Sequence, residues 1–477
     1  MKPSSERHRL FTGDQYDTKR GTQTMAYLTT APRGTKDILP GETPKWQYLE
    51  KTLLETAELF GFREIRIPTF EHTELFTRSV GDTTDVVQKE MYTFTDKGER
   101  SITLRPEGTA GVARAALENG LLGDALPLKV SYDITCFRYE KPGSGRFREF
   151  HQFGVELYGA ASPAADSEVL ALAYECLTVL GLQNVVLELN SLGCPECRKK
   201  YTQALLAYFE SHRERLCATC LERLEKNPLR VLDCKNPEDQ KIAAGAPSIL
   251  DYLCGDCQNH FQEVQDRLTA AEIPFRVEPT IVRGLDYYTR TVFEMVHTAP
   301  SGERLVCGGG GRYGGLIQEL GGNPTEGIGF AMGLERLLST MVAEGCDFPP
   351  LNTCDVYIAS MGAAAGVKAF QLANLLRSEG FFAQSDLMGR SVKAQMKYAN
   401  KIGAKYVIVL GEDELQKGEA LLKSMHSGKT AAIRLDGSFS DTVYEEIMSS
   451  AYAELEEAAD NLGLDIHGGE PPLSRPT

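Results

Sequence analysis

Trp46, Leu49, Leu53, Leu54, Ala57 and Leu59 recur at helical spacing after Pro44, and Gly61 is placed to end that helix. Phe62-Arg63-Glu64-Ile65-Arg66-Ile67 then alternates as a strand that stops at Pro68. A short strand, Ser101–Leu104, turns at Pro106 into a helix of small residues from Ala110 to Ala116. Lys129–Tyr132 and Ile134–Glu140 read as strand, Lys141–Gly145 as loop, and Arg146–Leu157 alternates again, which predicts a long antiparallel hairpin. On its second limb Arg146, Arg148, Gln152 and Glu156 share one face, because side chains repeat every second residue. Pro163–Leu180 reads as a helix and Val185–Leu189 as a strand. Later, Phe275, Val277, Ile281 and Val282 make an extended approach to a polar stretch, and Thr291–Val296 alternates beyond it. Gly327–Gly333 is a glycine-rich strand running into a helix that carries Arg336 in its first turns.

From Gly193 to about Ile273 the pattern changes. Strand signals vanish, charge rises, and seven cysteines gather: Cys194, Cys197, Cys217, Cys220, Cys234, Cys254 and Cys257. This predicts a helical insertion between two strands of the sheet. Asp347–Asn352 reads as a linker. Beyond it come strand Val356–Ala359, helix Gly366–Ser378, strand Phe381–Ala383, helix Val392–Ile402 and strand Tyr406–Leu410, the alternation of a small α/β domain. The expected organisation is a tail over 1–30, an α+β domain on an antiparallel sheet over 31–345 with the insertion at about 193–273, a linker over 346–353, the α/β domain over 354–440, and an acidic helix and disordered tail over 441–477.

Composition narrows this picture. A length of 477 residues is enough for two to four domains. Net charge is −15, so general attraction to nucleic acid is not expected and any such contact needs a local basic patch. Lys393, Lys397 and Lys401, four apart on one helix face, supply one, although such a stripe also serves as an ordinary solvated face. No apolar run approaches the ~20 residues that span a bilayer. Met1–Thr24 is polar, lacks a signal-peptide core and is expected to be disordered, with Met25 a candidate start. The chain is therefore expected in the cytoplasm, where its 12 cysteines hold metal or stay reduced rather than form disulfides.

The candidate chemistry centres on Arg283-Gly284-Leu285-Asp286-Tyr287-Tyr288-Thr289-Arg290. By itself this stretch also suits a surface hairpin with an Asp286 ion pair. Arginines come from four separate segments, Arg138, Arg146, Arg283 and Arg336, and carboxylates from two more, Glu107 and Glu156. Guanidiniums stay charged and grip polyphosphate bidentately, whereas carboxylates suit an ammonium or a ring N–H. An ATP site beside an amino-acid site accommodates both. Glu107 and Thr109 also suit simple service at a helix start, the first against the dipole and the second as a cap. The glycines of Cys307–Gly315 either let a ligand approach the backbone or make a sharp turn; no Gly-Lys-Ser/Thr follows, so they are not a Walker loop.

Together, Leu104-Arg105-Pro106-Glu107-Gly108-Thr109, Arg283–Arg290 and the glycine-rich segment ending at Arg336 make the chain, from about Ala31 to Gly437, resemble the class II aminoacyl-tRNA synthetases, the histidyl-tRNA synthetase family in particular. The resemblance implies an anticodon-binding-type fold for the C-terminal domain and a homodimer with the 46–68 helix and strand at its interface. It implies that Arg138 and Arg146 hold the α- and γ-phosphates of ATP and that Arg336 holds the terminal phosphates, with Mg²⁺ on the remaining oxygens. Glu107, Thr109 and Gln152 would take the ammonium and carboxylate of L-histidine, Glu156 and Tyr288 its ring nitrogens with Tyr287 beside them, and Arg283 the charge that builds between carboxylate and α-phosphate. The acceptor of the activated histidine would be tRNA(His). Tyr139 and the Lys141–Gly145 loop lie where family members vary.

Two other readings compete. One is a non-catalytic paralogue, the regulatory subunit of histidine biosynthesis, which usually lacks the C-terminal domain and breaks the arginine set; the other is an unrelated ATP-dependent carboxylate–amine ligase. The cysteine pairs are not a general family feature. Cys194, Cys197, Cys254 and Cys257, two C-x-x-C knuckles at opposite ends of the insertion, suit a tetrahedral zinc. Cys217 and Cys220 with Cys234 offer a competing ligand set, and reduced thiols throughout are the alternative to both.

Overall fold

The computed structural model describes residues 29–80, 84, 86–143, 145–281 and 287–462. Most of the expected N-terminal tail, Arg283 and the last fifteen residues of the expected C-terminal tail thus lie outside the described residues. The chain divides between Pro349 and Pro350 into two compact units. Among the described residues no helix is long and apolar enough to cross a membrane.

In the first unit, helix α1 (Thr43–Leu59) buries Trp46, Leu49, Leu53 and Ala57. Gly61 follows with φ +81°, the left-handed position that glycine fills at least cost. Strand β1 (Arg63–Glu64) is far shorter than the alternation over 62–68 predicts. Ile65 N–H still donates to the Ser131 carbonyl at 2.8 Å. The chain then leaves the sheet to put the carbonyls of Ile67 and Pro68 on the Arg105 guanidinium, at 2.7 and 3.1 Å. A small antiparallel sheet comes next, β2 (Phe70–His72), β3 (Thr93–Thr95) and β4 (Ser101–Leu104) in the order β2-β4-β3, with α2 (Thr73–Val80) following β2.

After α3 (Thr109–Glu118) the main sheet is built from β5 (Leu128–Phe137), β6 (Glu149–Tyr158), β7 (Val185–Ser191), β8 (Phe275–Val277), β9 (Thr289–Thr298), β10 (Arg304–Tyr313) and β11 (Gly327–Gly333), joined by β1. Its order is β1-β5-β6-β11-β10-β9-β7-β8, antiparallel except for the β1/β5 and β7/β8 edges. Helix α4 (Pro163–Val179) links β6 to β7. The insertion between β7 and β8 is helical as expected, with α5 (Pro195–Glu210), α6 (Ala218–Lys226), α7 (Pro237–Ala243) and α8 (Gly255–Ala270). The short α9 (Leu316–Glu319) follows β10, and α10 (Leu334–Glu344) follows β11.

Period-two alternation gives each face of this sheet its own core. Phe153, Val155 and Leu157 of β6, with Ile328, Phe330 and Met332 of β11, pack under α1, α4, α8 and α10. Val130, Tyr132 and Ile134 of β5 face the other way, with α3 and most of the insertion. The even positions of β6, Gln152 and Glu156, point to this second face, where the chemistry gathers.

Two sequence expectations change here. Strand β6 starts at Glu149, not Arg146, because Gly143 and Arg146 exchange backbone hydrogen bonds in a tight turn and Arg148 N–H is drawn to the Gly34 carbonyl at 2.7 Å. Arg146 therefore does not share a strand face with Gln152 and Glu156. The glycines of 307–315 divide: Gly308–Gly311 run extended within β10, and Gly314 and Gly315 bend the chain into α9. A Cβ at Gly308 would meet the Ala331 carbonyl, and one at Gly311 the Thr291 carbonyl, each at 2.6 Å, so these glycines let the strands pack closely.

The second unit holds β12 (Val356–Ser360), α11 (Ala363–Ser378), β13 (Ala383–Ser385), α12 (Val392–Lys401), β14 (Tyr406–Leu410), α13 (Glu412–Lys417), β15 (Glu419–Ser424), β16 (Thr430–Arg434) and α14 (Phe439–Leu462). Its sheet runs β13-β12-β14 in parallel and adds β15 and β16 antiparallel, two strands that the sequence pattern did not reveal. Buried Gln395 bonds both backbone groups of Ser360, at 2.9 and 2.8 Å. This fixes the inner face of α12 and leaves Lys393, Lys397 and Lys401 exposed on the outer one.

Candidate active site

Glu156 is the centre of a buried polar pocket on the second face of the main sheet. It is 1 % exposed. Thr109 Oγ1 donates to its Oε1 at 2.7 Å, Tyr132 OH donates to the same oxygen at 3.2 Å, and Tyr313 OH donates to Oε2. The Tyr287 ring lies 4.7 Å from that of Tyr288 and 5.5 Å from that of Tyr313, and both Tyr287 and Tyr288 are buried. Burial pushes the Glu156 carboxyl up to about 8 against the help of these hydroxyls. The same burial holds Tyr132, Tyr287 and Tyr313 well above the usual phenol range, so they remain donors. A Cβ at Gly154 or Gly108 would overlap the Tyr132 ring, which lies across both.

Glu107 stands at the start of α3, and its carboxylate accepts from Thr109 N–H at 2.7 Å and Ala110 N–H at 2.9 Å. That is the helix-start service the sequence allowed for it. Thr109 does not cap the helix; its hydroxyl goes to Glu156 instead. Burial raises the Glu107 pKa, opposed by the two amides and by the charge of Arg138.

Adjoining this pocket is a cleft of ≈ 360 Å³ lined by Arg138, Arg146, Arg336, Phe150, Gln152 and Gly308 among others. Arg138 Nε donates to the Pro106 carbonyl at 2.8 Å, and its guanidinium lies 5.3 Å from the centre of the Phe150 ring. Arg336 donates to the Val306 carbonyl at 2.7 Å. Glu140 stands 3.9 Å from Arg138 and 3.8 Å from Arg146, long ion-pair contacts. Arg146 thus reaches the cleft from the turn before β6 rather than from the strand. Gln152 lines this cleft, and Glu156 is four residues further along the same face.

The polar stretch that opens β9 is tied to the insertion. Arg290, at φ +49°, donates its N–H to the Gly193 carbonyl at 2.9 Å and accepts from Leu192 N–H at 2.7 Å. Arg198 of α5 donates to the Tyr288 carbonyl. Behind the pocket, Asp166 binds His260 and Thr291 at 2.6 Å each and Arg312 Nε at 2.9 Å, and both Asp166 and Arg312 are fully buried.

Sequence reasoning missed Tyr132, Tyr313, Asp166 and Arg312. Arg312-Tyr313 directly follows the glycine run, and that adjacency was the available signal.

The family model described as Histidyl-tRNA synthetase matches residues 34–337, and the one described as Anticodon binding domain matches residues 355–442. The chain belongs to the histidyl-tRNA synthetase family. Among curated relatives, Histidine--tRNA ligase of Acetivibrio thermocellus is 53 % identical over 86 % of this chain and 98 % of its own length. The protein of the same name from Clostridium novyi is 50 % identical over 85 % of this chain and 96 % of its own. The solved apo structure of S. aureus histidyl-tRNA synthetase superposes with a TM-score of 0.76 at 39 % identity, covering 87 % of this chain and all of that one. The fold is thus that of a class II synthetase catalytic domain followed by an anticodon-binding domain.

Proposed function

We infer that this chain is a histidine–tRNA ligase: it activates L-histidine with ATP to histidyl-adenylate and transfers the histidyl group to the 3′ end of tRNA(His). The observation that carries this reading is that one strand face supplies both the arginine cleft and the buried phenol cluster. Gln152, in the arginine cleft, and Glu156, in the phenol-lined pocket, stand on one strand face at a separation of about 13 Å. An amino acid and a triphosphate bound end to end need such an arrangement.

In this reading the imidazole sits between Glu156 and Tyr288 with Tyr287 beside it, and Glu107, Thr109 and Gln152 take the ammonium and carboxylate. A carboxyl that binds its proton up to about pH 8 is suited to sharing one with a ring nitrogen of neighbouring pKa. Arg138 holds the α-phosphate, Arg146 the γ-phosphate and Arg336 the terminal phosphates, once the anion draws Arg138 and Arg146 off Glu140. The histidine carboxylate oxygen bonds to the α-phosphorus, and the bond to the bridging oxygen breaks to release pyrophosphate. Arg138 and Arg283 neutralise the charge that builds there; catalysis is mainly positioning and charge stabilisation. The terminal ribose hydroxyl of tRNA then attacks the acyl carbon, and AMP leaves. Glu90 and Glu140 line the cleft and offer oxygen donors of the kind Mg²⁺ takes beside phosphate. Bound Mg²⁺ would supply further neutralisation of the phosphates.

The exposed Lys393, Lys397 and Lys401 stripe is the tRNA contact of the second unit. Homodimerisation is supported by Leu59, Phe70 and Phe94, large apolar side chains exposed on a single chain. The chain works in the cytoplasm, where charged tRNA is used. A structural zinc at Cys194, Cys197, Cys254 and Cys257 completes the reading. The four sulfurs lie within 4.8 Å of one another, and those of Cys194 and Cys197 are 3.5 Å apart. Cys194 adjoins Gly193, and Arg198 follows Cys197, so a metal here would brace the two residues that hold the Tyr288–Arg290 backbone.

Histidine-dependent exchange of pyrophosphate into ATP, followed by charging of tRNA(His), tests the assignment. Exchange driven by another amino acid and not by histidine overturns it. An ATP phosphoribosyltransferase regulatory subunit would show neither activity.

A further inference from the structure

Three C-x-x-C pairs of the insertion share one backbone design. Cys194, Cys217 and Cys254 each precede the first residue of a helix, in extended conformation with ψ 172°, 159° and 165°. The second cysteine of each pair, Cys197, Cys220 or Cys257, lies in the first turn. The outer two pairs complete one four-sulfur group, leaving the middle pair to form a group of its own. Cys217 and Cys220 converge with Cys234 and Asp239, the four donor atoms lying within 4.8 Å of one another. The sequence left Cys217, Cys220 and Cys234 as competitors for a single ion; the fold sorts the cysteines into two groups and adds a carboxylate to the second.

We propose that Cys217, Cys220, Cys234 and Asp239 form a second structural zinc site. Its dimensions are those of a tetrahedral ion. With Zn–S near 2.3 Å, neighbouring sulfurs stand about 3.8 Å apart. Cys217 and Cys234 Sγ are 3.9 Å apart, which is also too far for a disulfide. Cys234 Sγ and Asp239 Oδ2 are 3.1 Å apart.

The chemistry of Asp239 points the same way. This side chain is 0 % exposed, and Leu216, Cys220, Leu224 and Val231 are buried nearby in the same core. Its carboxylate receives Cys217 N–H at 3.2 Å and the Cys234 thiol. A buried carboxylate facing three thiols is costly without a counter-charge, and a divalent cation shared with three thiolates supplies it. The site also has work to do. Helix α6 spans 9 residues and α7 spans 7, lengths that do not hold in isolation, and a zinc would pin the start of the first, the turn carrying Cys234 and the first turn of the second to one point.

The test is elemental analysis of the full-length protein purified without chelator, in the wild type and in two double variants. Two zinc ions per chain are expected, falling to one in Cys217→Ser/Cys234→Ser and to one in Cys194→Ser/Cys254→Ser. Replacing the remaining zinc of the latter variant with Co²⁺ should give thiolate-to-cobalt charge-transfer absorption. A third variant, Asp239→Asn, keeps all three thiols; it should surrender one of its two zinc ions at least ~10-fold faster to a chromophoric chelator, and it serves if the serine variant does not fold. A zinc content of Cys217→Ser/Cys234→Ser equal to that of the wild type, a zinc-free wild type, or unaltered zinc transfer from Asp239→Asn overturns the site. One zinc retained only in Cys194→Ser/Cys254→Ser would support this site while removing the outer one.

Discussion

Thr109 Oγ1 donates to Glu156 Oε1 at 2.7 Å across 47 residues of sequence, joining the start of α3 to strand β6. The hydroxyl that a local reading would give to a helix cap is spent on holding the pocket's central carboxylate. We expect Thr109→Ala to raise KM for histidine in pyrophosphate exchange by about tenfold, the scale of one hydrogen bond to a charged group, with KM for ATP nearly unchanged. An unaltered histidine KM would remove Thr109 from the amino-acid pocket.

The Glu156 carboxyl sets a pH dependence of stability. Its pKa rises from 4.5 to about 8 on folding, chiefly through burial. Over that window the folded protein binds more protons than the unfolded chain, so stability falls as pH rises. Glu156→Gln has no proton to lose. In thermal melts without histidine or ATP, its stability relative to wild type should therefore climb from about pH 5 to pH 8. Parallel curves for the two proteins would contradict this.

Asp166 and Arg312 form a fully buried pair directly behind Tyr313. Burial alone would raise the Asp166 pKa, but the bond from His260 and the charge of Arg312 hold it below the usual carboxylate range. Asp166→Ala leaves Arg312 with Glu326, at 3.1 Å, as its remaining carboxylate and removes the acceptor of His260 and Thr291, and unfolding experiments should show a loss of about 3–5 kcal/mol. A loss under ~1 kcal/mol would mean that other partners satisfy Arg312.

Arg283, outside the described residues, is the charge stabiliser between the two reactants in the proposed function. Arg283→Ala is expected to slow adenylate formation by at least ~10²-fold without loss of fold. Near-normal exchange kinetics, read alongside an unchanged circular dichroism spectrum, would transfer that role to another arginine.

Changing Lys393, Lys397 and Lys401 together to alanine should leave histidine-dependent exchange intact while raising KM for tRNA at least ~10-fold near physiological salt, where each lost phosphate contact is felt. A chain ending at Pro349 should show the same split between adenylate formation and charging. Normal charging by either protein would show that the second unit does not read tRNA through this helix.

Local chemistry in the sequence was enough to specify the elements and much of the site. The spacing of Trp46, Leu49 and Leu53 defined α1, the alternation around Gln152 and Glu156 put both on one strand face, and the loss of strand signals with the gathering of cysteines marked the helical insertion. These features are legible because they depend on periods of two and three to four residues, or on single residues with special backbone needs. Tertiary structure decided how they were used. Tyr313 reaches Glu156 over 157 residues and Arg312 reaches Asp166 over 146, distances at which no periodicity connects two positions. Arg146 arrives in the arginine cleft from a turn because Arg148 N–H pairs with Gly34, a contact outside the hairpin itself. Asp239 could not be told from any surface aspartate until packing removed its solvent and set three thiols around it, since burial, and with it the cost of an unpaired charge, is a property of the folded chain alone.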